Sequence, residues 1–306
     1  MPVHGAAEFL DAAVDSVLAQ TLHDFELLLM LDRPDPSTKE LAFDFSARDK
    51  RVVVVETSEA GISSALNAGI IAASSDFIAR IDADDEMVPT RLEIQLGHME
   101  SSRSVACVGS QVLIHREGRR DRTSRLPKFD WQIRAEALLS NPMAHPAIML
   151  RRSLLEKAGL YDTRFRYAQD YELFSRLLEL GRFINISQPL TRYRIHANQI
   201  STKRVQARAP FIMAALEAVH NSSCRQRESW PGEYLAIGPD QTSYALEVFR
   251  RNLQDKSILL WVRSQLSDGK LRKVGLALAA LSLNLPMTSR LILSKTVTAI
   301  ISLRRH

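Results

Sequence analysis

"IARIDADDEM", residues 78–87, sets Asp82, Asp84, Asp85 and Glu86 directly behind an apolar run. Buried strands do not usually end in a block of like charge, because a carboxylate taken from water without a partner is costly. The chain before the block says where it lies. "FELLLML" (25–31), "RVVVVE" (51–56) and "DFIARI" (76–81) are short and apolar, as strands are. Residues 37–48 suit a helix opened by Pro36 and Ser37, and 61–74 suit a second helix with small residues on one side. Before them, 6–20 place Phe9, Leu10, Ala13, Val14, Val17 and Leu18 on one helical face. Strands and helices alternate with short crossovers, which predicts an α/β fold with a parallel sheet covered by helices. The acidic block then falls at the C-terminal end of a parallel strand, where open α/β sheets bind their ligands. Asp82 and Asp84 are two residues apart and share a side in extended geometry. Their repulsion is relieved by a divalent cation, and hard carboxylate oxygens suit Mg²⁺ or Mn²⁺, which share themselves with substrate phosphates. The plainer reading of a bare D-x-D is a solvated turn capping the helix that begins near Pro89.

The composition fits a folded globular protein, not a disordered one, and narrows the alternatives. At 306 residues, 45% hydrophobic and 25% charged, the chain is long enough for one large domain with an extension. Its two cysteines, Cys107 and Cys224, are far apart, which excludes a disulfide framework or a zinc cluster and fits a reducing compartment. The first residues are amphipathic and acidic where a signal peptide would need an apolar core, so none is expected. The expected location is cytoplasmic, or the cytoplasmic face of the membrane. The net charge of +5 is uneven: past Asp268 there is no acidic residue, but Lys270, Arg272, Lys273, Arg290, Lys295, Arg304 and Arg305 follow. That tail lacks the aromatic or base-reading company of a nucleic-acid surface, so no nucleic-acid partner is expected.

Five stretches, in order, resemble family 2 inverting glycosyltransferases of the GT-A fold: "MPVHG", "AVDSVLAQTLHDFELLLMLD", "GISSALNAGIIAASSDFIARIDADD", the long segment from "HPAIML" to "LLELG" (145–181), and "LTRYRIHANQIS". The resemblance covers residues 1–201, the expected transferase domain, and leaves 202–306 as a helical C-terminal extension. It implies a nucleotide-diphosphate sugar donor, with a UDP-sugar favoured, a divalent cation (Mn²⁺ or Mg²⁺), and single-displacement transfer with inversion. The acceptor implied is a saccharide or a lipid-linked molecule, in cell-envelope or polysaccharide biosynthesis.

The resemblance also implies roles for particular residues. Asp32 follows the second strand, where the family places an acid on the nucleotide base; the usual second acid there is Leu31. Asp82 contacts the ribose or the metal, Asp84 the metal, and Asp85 is a spare acid. The catalytic base falls on Asp170, in a pair whose first acid is replaced by Gln169. A base is needed because the acceptor hydroxyl must lose its proton as it attacks the anomeric carbon. A helix N-terminus is expected to lower the Asp170 pKa. His196, after the last strand, is a candidate third metal ligand or phosphate partner, and His145 borders the acceptor side. Asn67 and Gly69 allow close approach to the donor, although helix packing explains them as well. Trp131 and Tyr167 are candidate acceptor-stacking residues. Arg192 and Arg194 alternate on a strand and are set aside as solvated.

Two further expectations concern the ends. The run "VGLALAALSLNLPMTS" (274–289) is short for a membrane span, and with the basic tail it suits either an interfacial contact or a packed helical subdomain. In the family resembled, an apolar run before "MPV" forms an interior strand. Only Met1, Pro2 and Val3 stand here, so a longer natural chain or a weakened sheet is expected. Two other functions remain open. A sugar nucleotidyltransferase would want a glycine-rich, basic N-terminal loop, which "MPVHGAAEF" lacks. A non-catalytic sugar-nucleotide binder is favoured by Leu31 and Gln169 and disfavoured by the intact Asp82, Asp84 and Asp170.

Overall fold

The computed structural model describes residues 1–5, 7–137 and 141–196. The expected helical extension, its apolar run and its basic tail lie outside the described residues. The chain runs β1 (Pro2–Val3), α1 (Ala7–Leu18), β2 (Leu27–Leu31), α2 (Pro36–Arg48), β3 (Val52–Glu56), α3 (Ile62–Ala72) and β4 (Phe77–Ala79). It continues β5 (Glu86–Met87), α4 (Arg91–Glu100), β6 (Val105–Arg116), β7 (Arg122–Thr123), α5 (Asp130–Ala137), a 3₁₀ turn (His145–Ala147), β8 (Met149–Arg151), α6 (Arg152–Ala158), α7 (Gln169–Leu180) and β9 (Arg182–Ile195).

Local chemistry sets several boundaries. Asp35 caps α2 by accepting the Thr38 backbone N–H at 2.9 Å, and Pro36 opens the helix, where its missing N–H costs nothing. Gly61 precedes α3 with φ +114°, a conformation that a side chain would strain. At Gly109 on β6 the constraint is space instead: a Cβ there would lie 2.6 Å from the Met143 methyl.

The expected parallel alternation holds for β1, β2 and β3, with Val3 beside Leu31 and Leu29 beside Val54. It does not hold for β4, which pairs antiparallel with β8 and belongs to a second sheet of order β4-β8-β6-β9-β5, with β7 on β6. β1 offers two residues, one of them a proline without an N–H, and forms no ladder with β4. The acidic block therefore leaves a strand held only by an antiparallel neighbour. Its position is nevertheless set among parallel strands, because β9 runs parallel to β6 and delivers its own C-terminal end to the same place.

Helices cover both faces. One core joins Leu10, Val14, Leu29, Phe45, Ile81 and Met99. The other joins Leu66, Ile133, Leu155, Tyr171, Phe174 and Phe183. Between them runs a polar strut. Arg91 is fully buried and donates to Gln95 Oε1, Pro146 O, Thr191 Oγ1, Arg80 O and Ile148 O. It binds α4, β9, the 3₁₀ turn and the chain leading into the acidic block with neutral acceptors. Burial and the neighbouring Arg80 charge lower its pKa to about 9. Arg91→Met would leave those acceptors unpaired. The expected loss is about 2–3 kcal/mol, since each buried orphan costs about 1–3 kcal/mol and some relax. Urea denaturation measures it, and an unchanged midpoint would show that the strut is dispensable.

Candidate active site

The C-terminal ends of β2, β4 and β9 and the start of α7 carry the chemically distinctive side chains. Asp32 directly follows β2 and is buried. Its Oδ2 accepts the Gly61 N–H at 3.0 Å, while Oδ1 is buried with no hydrogen-bond partner. His4 Nδ1 approaches the Asp32 carbonyl at 2.6 Å, and Arg33 Nε stands 3.7 Å from Oδ1. The α3 N-terminus thus grips one carboxylate oxygen and leaves the other for a ligand.

After β4 the chain turns through the acidic block. Asp82, Asp84 and Asp85 each offer a carboxylate oxygen within 4.8 Å of the others. Arg80, 5% exposed, donates from both terminal nitrogens to both Asp82 oxygens. Asp85 is fully buried: Oδ1 accepts the Arg194 backbone N–H at 2.9 Å and Oδ2 has no partner. Burial, with the neighbouring Asp82 and Asp84 charges, pushes its pKa far up. Asp84 Oδ2 lies 2.9 Å from His196 Nε2, whose other ring nitrogen is buried and unpartnered. The Phe9 ring packs 4.8 Å from that imidazole. Three close carboxylates, one orphaned oxygen and an adjoining histidine fit a hard divalent cation by donor chemistry. The residues that would hold it are Asp84 and His196, with Asp82 and Asp85 alongside.

Arg192 and Arg194 are not the solvated pair expected. Arg194 donates to the Asp84 carbonyl at 3.1 Å and pairs with Glu86, and its guanidinium lies 4.8 Å from the Phe9 ring. Arg192 lies 3.6 Å from Glu86 and contacts His115 at 3.0 Å. Antiparallel pairing of β5 with β9 sets Glu86 opposite Arg192, so both arginines neutralise the fourth acid of the block.

Asp170 lies in the first turn of α7, as expected, but its pKa moves the other way. Burial raises it; the Tyr171 N–H, the Arg80 charge and a 2.6 Å bond from Asn141 Nδ2 oppose that without overcoming it. Desolvation outweighs the helix terminus because the carboxylate is partly withdrawn from water. A raised pKa suits a base that must accept a proton. The residue before the helix pair, Ala168, has φ +55°, a strained conformation for a residue with a side chain, at the entry to the site.

Two candidates have other occupations. Asn67 does not face a donor freely: Nδ2 donates to the Tyr161 carbonyl at 2.8 Å and Oδ1 accepts the Tyr161 N–H at 2.9 Å. It ties α3 to the loop before α7. Asn67→Ala should cost about 1–3 kcal/mol by leaving that peptide unpaired, and should loosen the loop. In a transfer assay the acceptor KM should rise more than the donor KM; the reverse would restore a donor role. His145 is buried against Tyr161 and Phe174, with Nε2 2.8 Å from the Tyr161 hydroxyl, and burial holds it neutral. Trp131 is 56% exposed on α5. Arg80 and Asn141 escaped the sequence reading. An arginine inside an otherwise apolar strand end was a usable signal for Arg80; nothing in "NPMAH" marked Asn141.

The sequence model described as "Glycosyl transferase family 2" matches residues 1–159, more than half of the chain. The chain belongs to glycosyl transferase family 2. It is 31% identical over 199 residues to the amylovoran biosynthesis glycosyltransferase AmsE of Erwinia amylovora, a match spanning 64% of this chain and 74% of that one. It is also 31% identical over 202 residues to the O-antigen biosynthesis glycosyltransferase WbnJ of Escherichia coli, spanning 64% of this chain and 78% of that one. Among solved structures it is similar to S. aureus TarS in complex with UDP-GlcNAc, with TM-score 0.61, 14% identity, and 92% and 78% of the two chains covered. Mannosyltransferase PcManGT from Pyrobaculum calidifontis, in complex with GDP-Man and Mn²⁺, gives TM-score 0.52, 17% identity, and coverage of 98% and 84%. At such identities these likenesses speak for the fold, which is the GT-A architecture expected. Among the described residues, no helix is long and apolar enough to cross a membrane.

Proposed function

We propose that this family 2 member transfers a sugar from a nucleotide-diphosphate donor, a UDP-sugar first among them, to a saccharide or lipid-linked acceptor with inversion. It would act in envelope polysaccharide synthesis at the cytoplasmic side. The observation that carries the reading is the Asp82–Asp84–Asp85 cluster with its orphaned Asp85 oxygen, at one end of the sheet with the half-buried Asp170.

In this reading Asp32 receives the nucleotide through Oδ1, the oxygen that accepts no hydrogen bond. The divalent cation, when bound, supplies positive charge for the leaving diphosphate. Arg80 aims Asp82, since a bidentate guanidinium fixes both carboxylate oxygens, and it opposes the burial that raises the Asp82 pKa. Asp170 takes the proton from the acceptor hydroxyl as that oxygen bonds to the anomeric carbon and the bond to the diphosphate breaks. Attack opposite the leaving group inverts the centre. Asn141 steadies the carboxylate by donating to Oδ2.

Mass-spectrometric assay of donor hydrolysis and transfer across UDP-, GDP- and dTDP-sugars, with Mn²⁺ or Mg²⁺, tests the proposal. Turnover of one donor class with metal dependence is expected. Metal-dependent binding without turnover of any donor would instead mark a sugar-nucleotide binder.

A further inference from the structure

β6 extends past the body of its sheet and turns at 117–121 into β7, and the chain then returns along the same edge to α5. The returning segment is held by Gln111, which bonds to the backbone N–H and carbonyl of Leu126, and by Asn185, which donates from Nδ2 to the Pro127 carbonyl and from its backbone N–H to the Lys128 carbonyl. Exposed along this edge are six cations: Arg116, Arg119, Arg120, Arg122, Arg125 and Lys128. Among the described residues none of them is in an ion pair. Three acids lie in the same stretch: Asp121 bonds to His115, Asp130 pairs with Arg134 and accepts the Phe183 N–H, and Glu117 is exposed in the turn, so the cations outnumber the exposed acid six to one. Where the segment ends, Phe129 and Trp131 are exposed at 61% and 56%.

We infer that this edge, from the β6–β7 hairpin to the start of α5, is a docking surface for an anionic phospholipid bilayer. Unpaired arginines carry charge that favours phosphate, which the planar guanidinium can grip through two bonds. A soluble acidic polymer would satisfy the cations but gives no reason for two large exposed aromatics at the same edge. A bilayer satisfies both, because aromatic rings favour the interface below the headgroups and basic side chains favour the anionic leaflet above them. The strip runs about 20 Å at the strand rise of about 3.3 Å per residue, so its cations can lie along one surface. Its hairpin end adjoins the candidate site: Arg116 is opposite Ile195, and the next residue, His196, contacts Asp84. Docking would bring the acidic cluster toward the bilayer surface. The inference does not rest on the transferase reading.

Co-sedimentation of the full chain with phosphatidylcholine vesicles, with and without phosphatidylglycerol, tests it. A cation near an anionic leaflet strengthens binding about fivefold, so Arg119→Glu, Arg120→Glu and Arg122→Glu together should weaken binding to the anionic vesicles by at least about a hundredfold. Lys50→Glu, Arg103→Glu and Lys157→Glu make the same change in net charge at exposed positions elsewhere and should cost less than about tenfold. Should the triple hairpin variant melt early, Arg119→Gln with Arg120→Gln at the turn should still weaken binding about 25-fold. Equal losses in the hairpin and control variants, or unchanged binding in the hairpin variants, would overturn the inference. So would a wild-type chain that binds soluble polyphosphate but ignores the vesicles.

Discussion

Replacing Asp170 with asparagine should lower kcat by about 10²–10⁴-fold while leaving donor affinity nearly unchanged, the usual contribution of a positioned general base. The amide keeps the size of the side chain and an oxygen for Asn141, so the loop and the first turn of α7 should hold. What is lost is the proton acceptor. The pH dependence gives an independent readout. Burial raises the Asp170 pKa, so the acid limb of kcat/KM should lie above the ordinary aspartate value of about 3.9. Below that limb the carboxyl is protonated and cannot act as a base, so the rate rises with pH through it. In Asp170→Asn the limb should vanish from the residual rate. A near-native rate, or an unchanged acid limb, would assign the proton to another group.

Asp84→Ala should abolish the metal dependence of nucleotide binding. Loss of a residue that only orients a metal ligand already costs about 10–100-fold in metal affinity, so loss of a ligand should cost more than about a hundredfold. Removing one of three crowded carboxylates also relieves repulsion, so the melting temperature without metal should stay level or rise. Calorimetry with UDP, titrated with and without Mn²⁺, gives the answer. Wild type should bind more tightly with the cation, and the variant should be indifferent to it. If Mn²⁺ tightens binding equally in both, Asp84 is not a ligand and the cluster's purpose lies with Asp82 and Asp85. His196→Ala should show the same loss in smaller measure, because an imidazole contributes one neutral donor where Asp84 contributes charge.

In the proposed mechanism the two variants probe opposite sides of the same reaction, and Arg80 acts on both. Its guanidinium pairs with Asp82 and its charge also favours the ionised form of Asp170. In that proposed mechanism one buried cation would therefore act on the donor side and on the base. Its conservative replacement by lysine would not be equivalent, because an ammonium cannot grip both Asp82 oxygens in one plane.

Much of this protein is determined by local sequence. The apolar period of 3.6 in α1, the cap and proline at the head of α2, and the β-branched run of β3 place those elements within a few residues, because each rests on interactions between near neighbours. The residue types of the acidic block and of the Gln169–Asp170 pair were likewise legible, since like charges beside an apolar run demand a reason wherever they fall. The partners of those residues were not. Arg80 drew no reading; Asn67 was set toward the donor; Arg192 and Arg194 looked solvated; the Asp170 pKa was expected to fall. Each depends on groups far away in the chain: Tyr161 against Asn67, Glu86 against β9, Asn141 against Asp170. Strand pairing, too, is decided at a distance, because β4 takes its antiparallel neighbour from residues 149–151. Periodicity and caps are short-range and survive in any local reading. Which carboxylate is paired, which is orphaned and which is withdrawn from water depends on the dielectric and the neighbours that only the packed chain supplies.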